Sequence, residues 1–147
     1  VEYNLILSPV IQQFATKFEL YAENLVLRPA ASIATVLWDG RSVDTIVMTW
    51  ALCTIPNPVR ALREMRRVLK PQGRMIFIEH GLSPDSGVRA WQNGLNPIWS
   101  KVAGGCNLNR KIDDLFTSSG FNIVELRTAY LPGPRPLTYT YEGCAVD

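Results

Sequence analysis

Between Asn57 and Lys70 the apolar positions Val59, Leu62, Met65 and Leu69 recur at three- and four-residue intervals, the spacing that aligns side chains on one face of an α-helix. Asn57 is a good capping residue and Pro58 suits the first helical position, so the pattern predicts a helix over Asn57–Lys70. Pro71 pushes Lys70 out of the α region, and Lys70-Pro71-Gln72-Gly73 then reads as a tight turn. On either side lie short apolar and β-branched runs, Val43–Thr49 (VDTIVMT) and Arg74–Glu79 (RMIFIE), which predict strands. Strand, helix, turn and strand in so short a span make a βαβ unit with a right-handed crossover. The nearly continuous apolar strands imply a parallel sheet covered on both faces.

The remaining pattern is less regular. Val88–Val102 is helical in character but interrupted by Pro97, which predicts a broken helix. A further helix is expected from Asn109 or Arg110 to Ser119, ended by Gly120, and Phe121–Leu126 alternates like a strand. After the stiff Leu131–Pro136 connection, Tyr139–Val146 is again strand-like. Near the start, Tyr3–Leu7 predicts a short strand and Ser8-Pro9 opens an amphipathic helix through Val10, Ile11, Phe14 and Phe18. Asn24–Trp38 reads as a loop with one strand near Ile33–Leu37.

Composition narrows the class. With 147 residues, 47% hydrophobic and 19% charged, the chain can bury the core of a single domain. Fifteen basic against thirteen acidic residues leave a net charge of +2, too little to argue for a nucleic-acid partner. No stretch reaches the roughly 18–20 apolar residues of a membrane span, and no signal-peptide order precedes the first elements, so a cytoplasmic protein is expected. Cys53, Cys106 and Cys144 are odd in number and widely spaced, which suits a reducing compartment and disfavours a disulfide framework or zinc ribbon. With His80 as the sole histidine, HExxH chemistry and two-histidine mechanisms are excluded, and no metal site is expected. Neither GxGxxG nor GxxxxGK[ST] occurs.

In a parallel α/β sheet ligands sit beyond the carboxyl ends of the strands, which directs attention to Thr49-Trp50-Ala51-Leu52-Cys53 and Glu79-His80-Gly81. Glu79 and His80 offer a carboxylate and an imidazole for proton transfer, although neighbouring strand residues face opposite ways. Core packing for Trp50 and Leu52 and a solvated turn for Glu79-His80 are the plain alternatives. Cys106 is a nucleophile for a cysteine hydrolase if His80 lies within hydrogen-bond reach; otherwise it is a small buried hydrophobe. Arg60, Arg63 and Arg67 share one helix face and read as a solvated surface rather than a phosphate site.

The string VDTIVMTWALCTIPNPVRALREMRRVLKPQGRMIFIEHG (Val43–Gly81) resembles the class I S-adenosylmethionine-dependent methyltransferases, in the small-molecule subgroup similar to ubiquinone/menaquinone and phospholipid N-methyltransferases. There the fourth strand, a helix, an LKPGG turn and the fifth strand follow in this order, and Leu69-Lys70-Pro71-Gln72-Gly73 stands in the turn's place. The resemblance continues through Trp91-Gln92, Asn96-Pro97, Trp99, the run Ala103-Gly104-Gly105-Cys106-Asn107-Leu108-Asn109-Arg110, and Pro132-Gly133-Pro134-Arg135-Pro136. This second half is similar to the alkyl-thiol methyltransferases, which carry a comparable Gly-Cys-Asn-Leu stretch.

The resemblance implies a doubly wound, mostly parallel Rossmann-like α/β sheet with an antiparallel last strand. It implies S-adenosyl-L-methionine as cofactor and a small-molecule methyl acceptor, with no metal needed. It assigns Glu23, Thr49, Trp50 and Leu52 to the cofactor, Glu79 and His80 to catalysis, and Cys106, Asn107, Asn109 and Arg110 to the acceptor pocket, where a loop braced by asparagine and arginine is the alternative. Three departures stand out. Ile6 occupies the slot of the acidic residue that holds the ribose, Ala22-Glu23-Asn24-Leu25 lacks the usual Gly-Asp or Gly-Ser, and the first strand with its glycine-rich loop is missing. The domain is therefore expected to be N-terminally incomplete, to bind the cofactor weakly, and to expose an edge that favours a homodimer. A pseudoenzyme or non-catalytic interaction domain is the alternative function.

Overall fold

The computed structural model describes residues 39–147. The expectations placed on Tyr3–Leu7, Ile6, the helix after Ser8, Glu23 and Ile33–Leu37 lie outside the described residues.

Strand β1 (Val43–Thr49) leads to helix α1 (Pro58–Val68) and strand β2 (Leu69–His80). The Asn57 side chain accepts a hydrogen bond from the Arg60 amide at 3.0 Å, a cap that stabilises a helix by about 1 kcal/mol. Ala61, Leu62, Met65 and Val68 are buried, while Arg60, Arg63, Arg66 and Arg67 are exposed on the other side. The helix ends two residues earlier than its pattern suggests, because Leu69 turns extended and drops into the core, 1% exposed. Lys70–Gly73 is accordingly an irregular opening of β2 and not a free turn. Val43 pairs with Leu69 but Thr45 with Arg74, so two steps along β1 match five along β2. Gly73 permits this, since a Cβ there would sit 2.7 Å from Leu69 Cγ and 3.0 Å from the Asp44 carbonyl oxygen.

Beyond β2 come α2 (Ser86–Val102), α3 (Ile112–Ser118), β3 (Asn122–Tyr130), the helical turn α4 (Arg135–Thr138) and β4 (Tyr139–Val146). Helix α2 continues through Pro97, contrary to the expected break. Asn93 and Pro97 are both exposed, so water can satisfy the carbonyl that the proline leaves without a donor. Helix α3 starts later than expected because Asn109 and Arg110 belong to the preceding loop. Gly120, with φ of +92°, ends it.

The sheet order is β1-β2-β4-β3, with β1 parallel to β2 and β4 antiparallel to both neighbours. The last strand is thus antiparallel, inserted between two strands of one direction. Met75 and Phe77 of β2, Tyr141 and Ala145 of β4, and Met48 of β1 form one core with Leu62 and Met65 of α1 and Phe116 of α3. Phe77 stacks on Phe116 at 4.2 Å between ring centroids. Ile76 and Ile78, on the other face of β2, are also buried, as a strand covered on both sides requires.

Gly143 pairs with Phe77 across β2 and β4, and a Cβ there would lie 2.1 Å from the Glu125 carbonyl oxygen and 2.9 Å from Phe77 Cζ. Gly143→Ala is expected to destabilise the fold by about 1–3 kcal/mol, the usual cost of overpacking. A urea unfolding curve checks this, and an unchanged midpoint would show that the β3–β4 approach is looser than described.

Candidate functional site

β1 and β2 deliver their carboxyl ends side by side, with Thr49 paired to Ile78 and the Trp50 amide donating to the Ile78 carbonyl at 2.9 Å. Trp50 then adopts a left-handed backbone, φ +45°. For a bulky residue this costs on the order of 1–3 kcal/mol and persists only where the surroundings enforce it. Its indole is 51% exposed.

The surroundings that enforce it are polar. Glu79, fully buried, accepts hydrogen bonds from the Ala51 amide at 2.8 Å and the Leu52 amide at 3.1 Å. From the other side Arg110 donates to the Leu52 carbonyl and, at 2.7 Å, to the Ile55 carbonyl. Asn107 donates to the Cys53 carbonyl from its amide at 2.8 Å and from its side chain at 3.1 Å. Asn96 on α2 completes the frame by accepting from the Leu108 amide and donating to Asn107 Oδ1. Gln92, 1% exposed, accepts from the Ser83 amide and donates to the carbonyls of Gly81 and Pro136.

The network gathers three ligating groups. His80 Nε2 lies 3.0 Å from Cys106 Sγ, and Cys53, His80 and Cys106 bring one ligand atom each to within 4.8 Å of the others. Burial holds the His80 pKa below its ordinary value and pushes the Cys53 thiol up to about 12. His80 Nδ1 is buried with no hydrogen-bond partner among the described residues. Cys106 and His80 therefore meet the distance condition of a cysteine hydrolase, but among the described residues no third one orients the imidazole as in a nucleophile–base–orienter triad.

Of the residues nominated from sequence, Thr49 and Trp50 stand at the strand ends with Trp50 accessible. Leu52 is 0% exposed within the core and offers no surface to a cofactor. Glu79 and His80 go to different partners, and both Glu79 oxygens accept from loop amides, so Glu79 positions the loop. Asn107 and Arg110 brace the same loop, and Asn109 reaches Asn93 at 3.0 Å. Residue spacing alone hid Cys53, which joins the other two only after the fold brings two loops to the end of β2. A shallow cleft lined by Arg41, Asp44, Lys70, Pro71 and Gln72 lies at the amino ends of the strands, away from this site.

Residues 10–77 match the family model described as a methyltransferase domain. The chain is 36% identical to human Thiol S-methyltransferase TMT1B over 92% of its own length and 56% of that protein's. With human Thiol S-methyltransferase TMT1A it shares 34% identity over 84% of this chain and 50% of the relative. It superposes on a SAM-dependent methyltransferase from Methanosarcina mazei with a TM-score of 0.60, at 18% identity, covering 97% of this chain and 79% of the other. An open sheet with an inserted antiparallel strand and a strand-end site, taken with these matches, defines the class: the chain belongs to the class I S-adenosylmethionine-dependent methyltransferases. Within that family its relatives include thiol S-methyltransferases, and it spans about half the length of the two human proteins. Among the described residues no helix is long and apolar enough to cross a membrane.

Burial dominates the shift of Glu79, raising its pKa from 4.5 to about 7 against the opposing pull of the loop amides and Arg110. Between those values the folded protein keeps a proton that the unfolded chain has released, so this group's contribution falls as pH rises through the window and levels off above it. The size is about 3 kcal/mol at most. His80, with its lowered pKa, pulls the other way as pH rises toward its ordinary value. Glu79→Gln is expected to remove the falling component and leave the rising one. Unfolding midpoints from pH 4 to 8 read the difference, and parallel profiles for the two proteins would show that Glu79 titrates normally.

Proposed function

We propose that this protein transfers the methyl group of S-adenosylmethionine to the sulfur of a small thiol. The observation that carries the reading is the likeness to two human thiol S-methyltransferases, over 92% and 84% of the chain. Bound at such a site, the cofactor supplies an electrophilic methyl group on a sulfonium cation.

The described residues fit one wall of that site. Trp50 presents an accessible indole at the end of β1, a surface that attracts a cation by about 0.5–2 kcal/mol. Its backbone is held in a strained conformation that the loop network stabilises. Glu79, Arg110 and Asn107 fix the loop, so the wall is preformed before ligand arrives. Direct methyl transfer asks mainly for alignment and exclusion of water, and a rigid loop over a buried carboxylate meets that demand.

Trp50→Ala is expected to weaken binding of S-adenosylmethionine about tenfold with the fold intact, measured by calorimetric titration with the cofactor and its demethylated product. For the reaction, incubation with the cofactor and matched alkyl thiols, amines and phenols should give methyl thioethers and little else by mass spectrometry. Methylated amines or phenols without thioethers would overturn the choice of acceptor.

A further inference from the structure

Cys53 follows β1, His80 ends β2 and Cys106 follows α2, yet their ligand atoms lie within 4.8 Å of one another and two of them are 3.0 Å apart. A tetrahedral zinc ion, with Zn–S of about 2.3 Å and Zn–N of about 2.0 Å, places its ligand atoms roughly 3.5–3.8 Å apart. The 3.0 Å between His80 Nε2 and Cys106 Sγ and the 4.8 Å limit on the spacings to Cys53 lie on either side of that range.

The cysteine-bearing loops are fastened to each other. Asn107, next to Cys106, bonds the Cys53 carbonyl twice. Arg110 donates to the Leu52 and Ile55 carbonyls on either side of Cys53, which holds that loop in place. Neutral imidazole, the form that burial favours for His80, is also the form that ligates metals. A metal ion would itself hold the ring, which no other described residue orients. Two sulfurs and one nitrogen form a soft donor set that selects zinc or monovalent copper over magnesium and calcium.

We propose that Cys53, His80 and Cys106 form a zinc site with three protein ligands and a fourth position open to an exogenous thiol. On zinc binding the ligand thiols give up their protons to solvent. A thiol entering the fourth position does likewise and binds as thiolate, with no change in the oxidation state of zinc. Resting on the thiol-methylation reading, that position would hold the acceptor sulfur as a nucleophile at neutral pH; zinc binding itself does not depend on that reading.

The test uses the protein kept reduced with a phosphine and freed of metal, titrated with zinc against a chromophoric indicator and separately with cobalt(II). Expected are one zinc per chain with release of protons, and a cobalt complex with thiolate charge-transfer absorption that changes when 2-mercaptoethanol is added. Cys106→Ser and His80→Asn, each checked for folding by circular dichroism, should weaken zinc binding about tenfold or more, and Cys144→Ala should not. Substoichiometric zinc, equal affinity in the folded variants, or copper(I) binding without zinc binding would overturn the site. A cobalt spectrum indifferent to thiol would overturn the open position. Zinc binding without thioether formation leaves the site standing and removes the methyl-transfer reading. Undiminished methylation by metal-free protein does the reverse for the acceptor's place on zinc.

Discussion

A single buried carboxylate sets the geometry on which the site depends. Glu79 sits at the end of the central parallel strand with no exposure, and its oxygens face the amides of the loop that follows the neighbouring strand. Leaving such a charge without partners inside a protein is costly, whereas a carboxylate that accepts from backbone amides is both satisfied and geometrically exacting. Arg110 accomplishes the converse on the loop's carbonyls. Donors are taken on one side and acceptors on the other, so the backbone from Ala51 to Ile55 has few alternatives. The left-handed Trp50 follows directly, since the chain must leave β1 and enter a loop already fixed.

The same constraint explains which strand-end residues remain available. Topology nominates everything just beyond Thr49 and around Glu79, but a rigid loop has an inside. Leu52 and Glu79 form that inside, the one in the core and the other as the staple, and Trp50, His80 and Cys106 are left less buried. Proximity to a strand end identifies the region; hydrogen-bond demand decides each side chain's role within it.

Much of the fold was legible because its elements are marked by local chemistry. Asn57-Pro58 with Leu62 and Met65 specifies α1, the run from Met75 to Ile78 specifies a strand buried on both faces, and the bounds of Tyr139–Val146 emerge as read. Legibility failed where the controlling interaction is not local. Lys70–Gly73 has the composition of a turn, yet burial of Leu69 draws the segment into β2. Pro97 should interrupt a helix, yet an exposed position lets water replace the lost donor. Of the quartet Cys106, Asn107, Asn109 and Arg110, Asn107 and Arg110 brace the loop, Asn109 reaches Asn93 and Cys106 meets His80. No spacing rule would have joined Cys53 to them, because it lies in the loop after β1 and meets the end of β2 and the loop after α2 only in the folded chain.

That arrangement also clarifies why bracing and chemistry share one stretch of chain. A group that must meet a ligand within a fraction of an ångström needs neighbours whose own positions are fixed. Asn107 is adjacent to Cys106 and bonded to the backbone of Cys53, so the residue that fixes the loop also fixes the separation of the two sulfurs. Arg110 reaches the same loop while its charge acts on both thiols. Loosening either brace would therefore change the geometry and the electrostatics of the sulfurs together, and the polar frame and the reactive cluster behave as one unit.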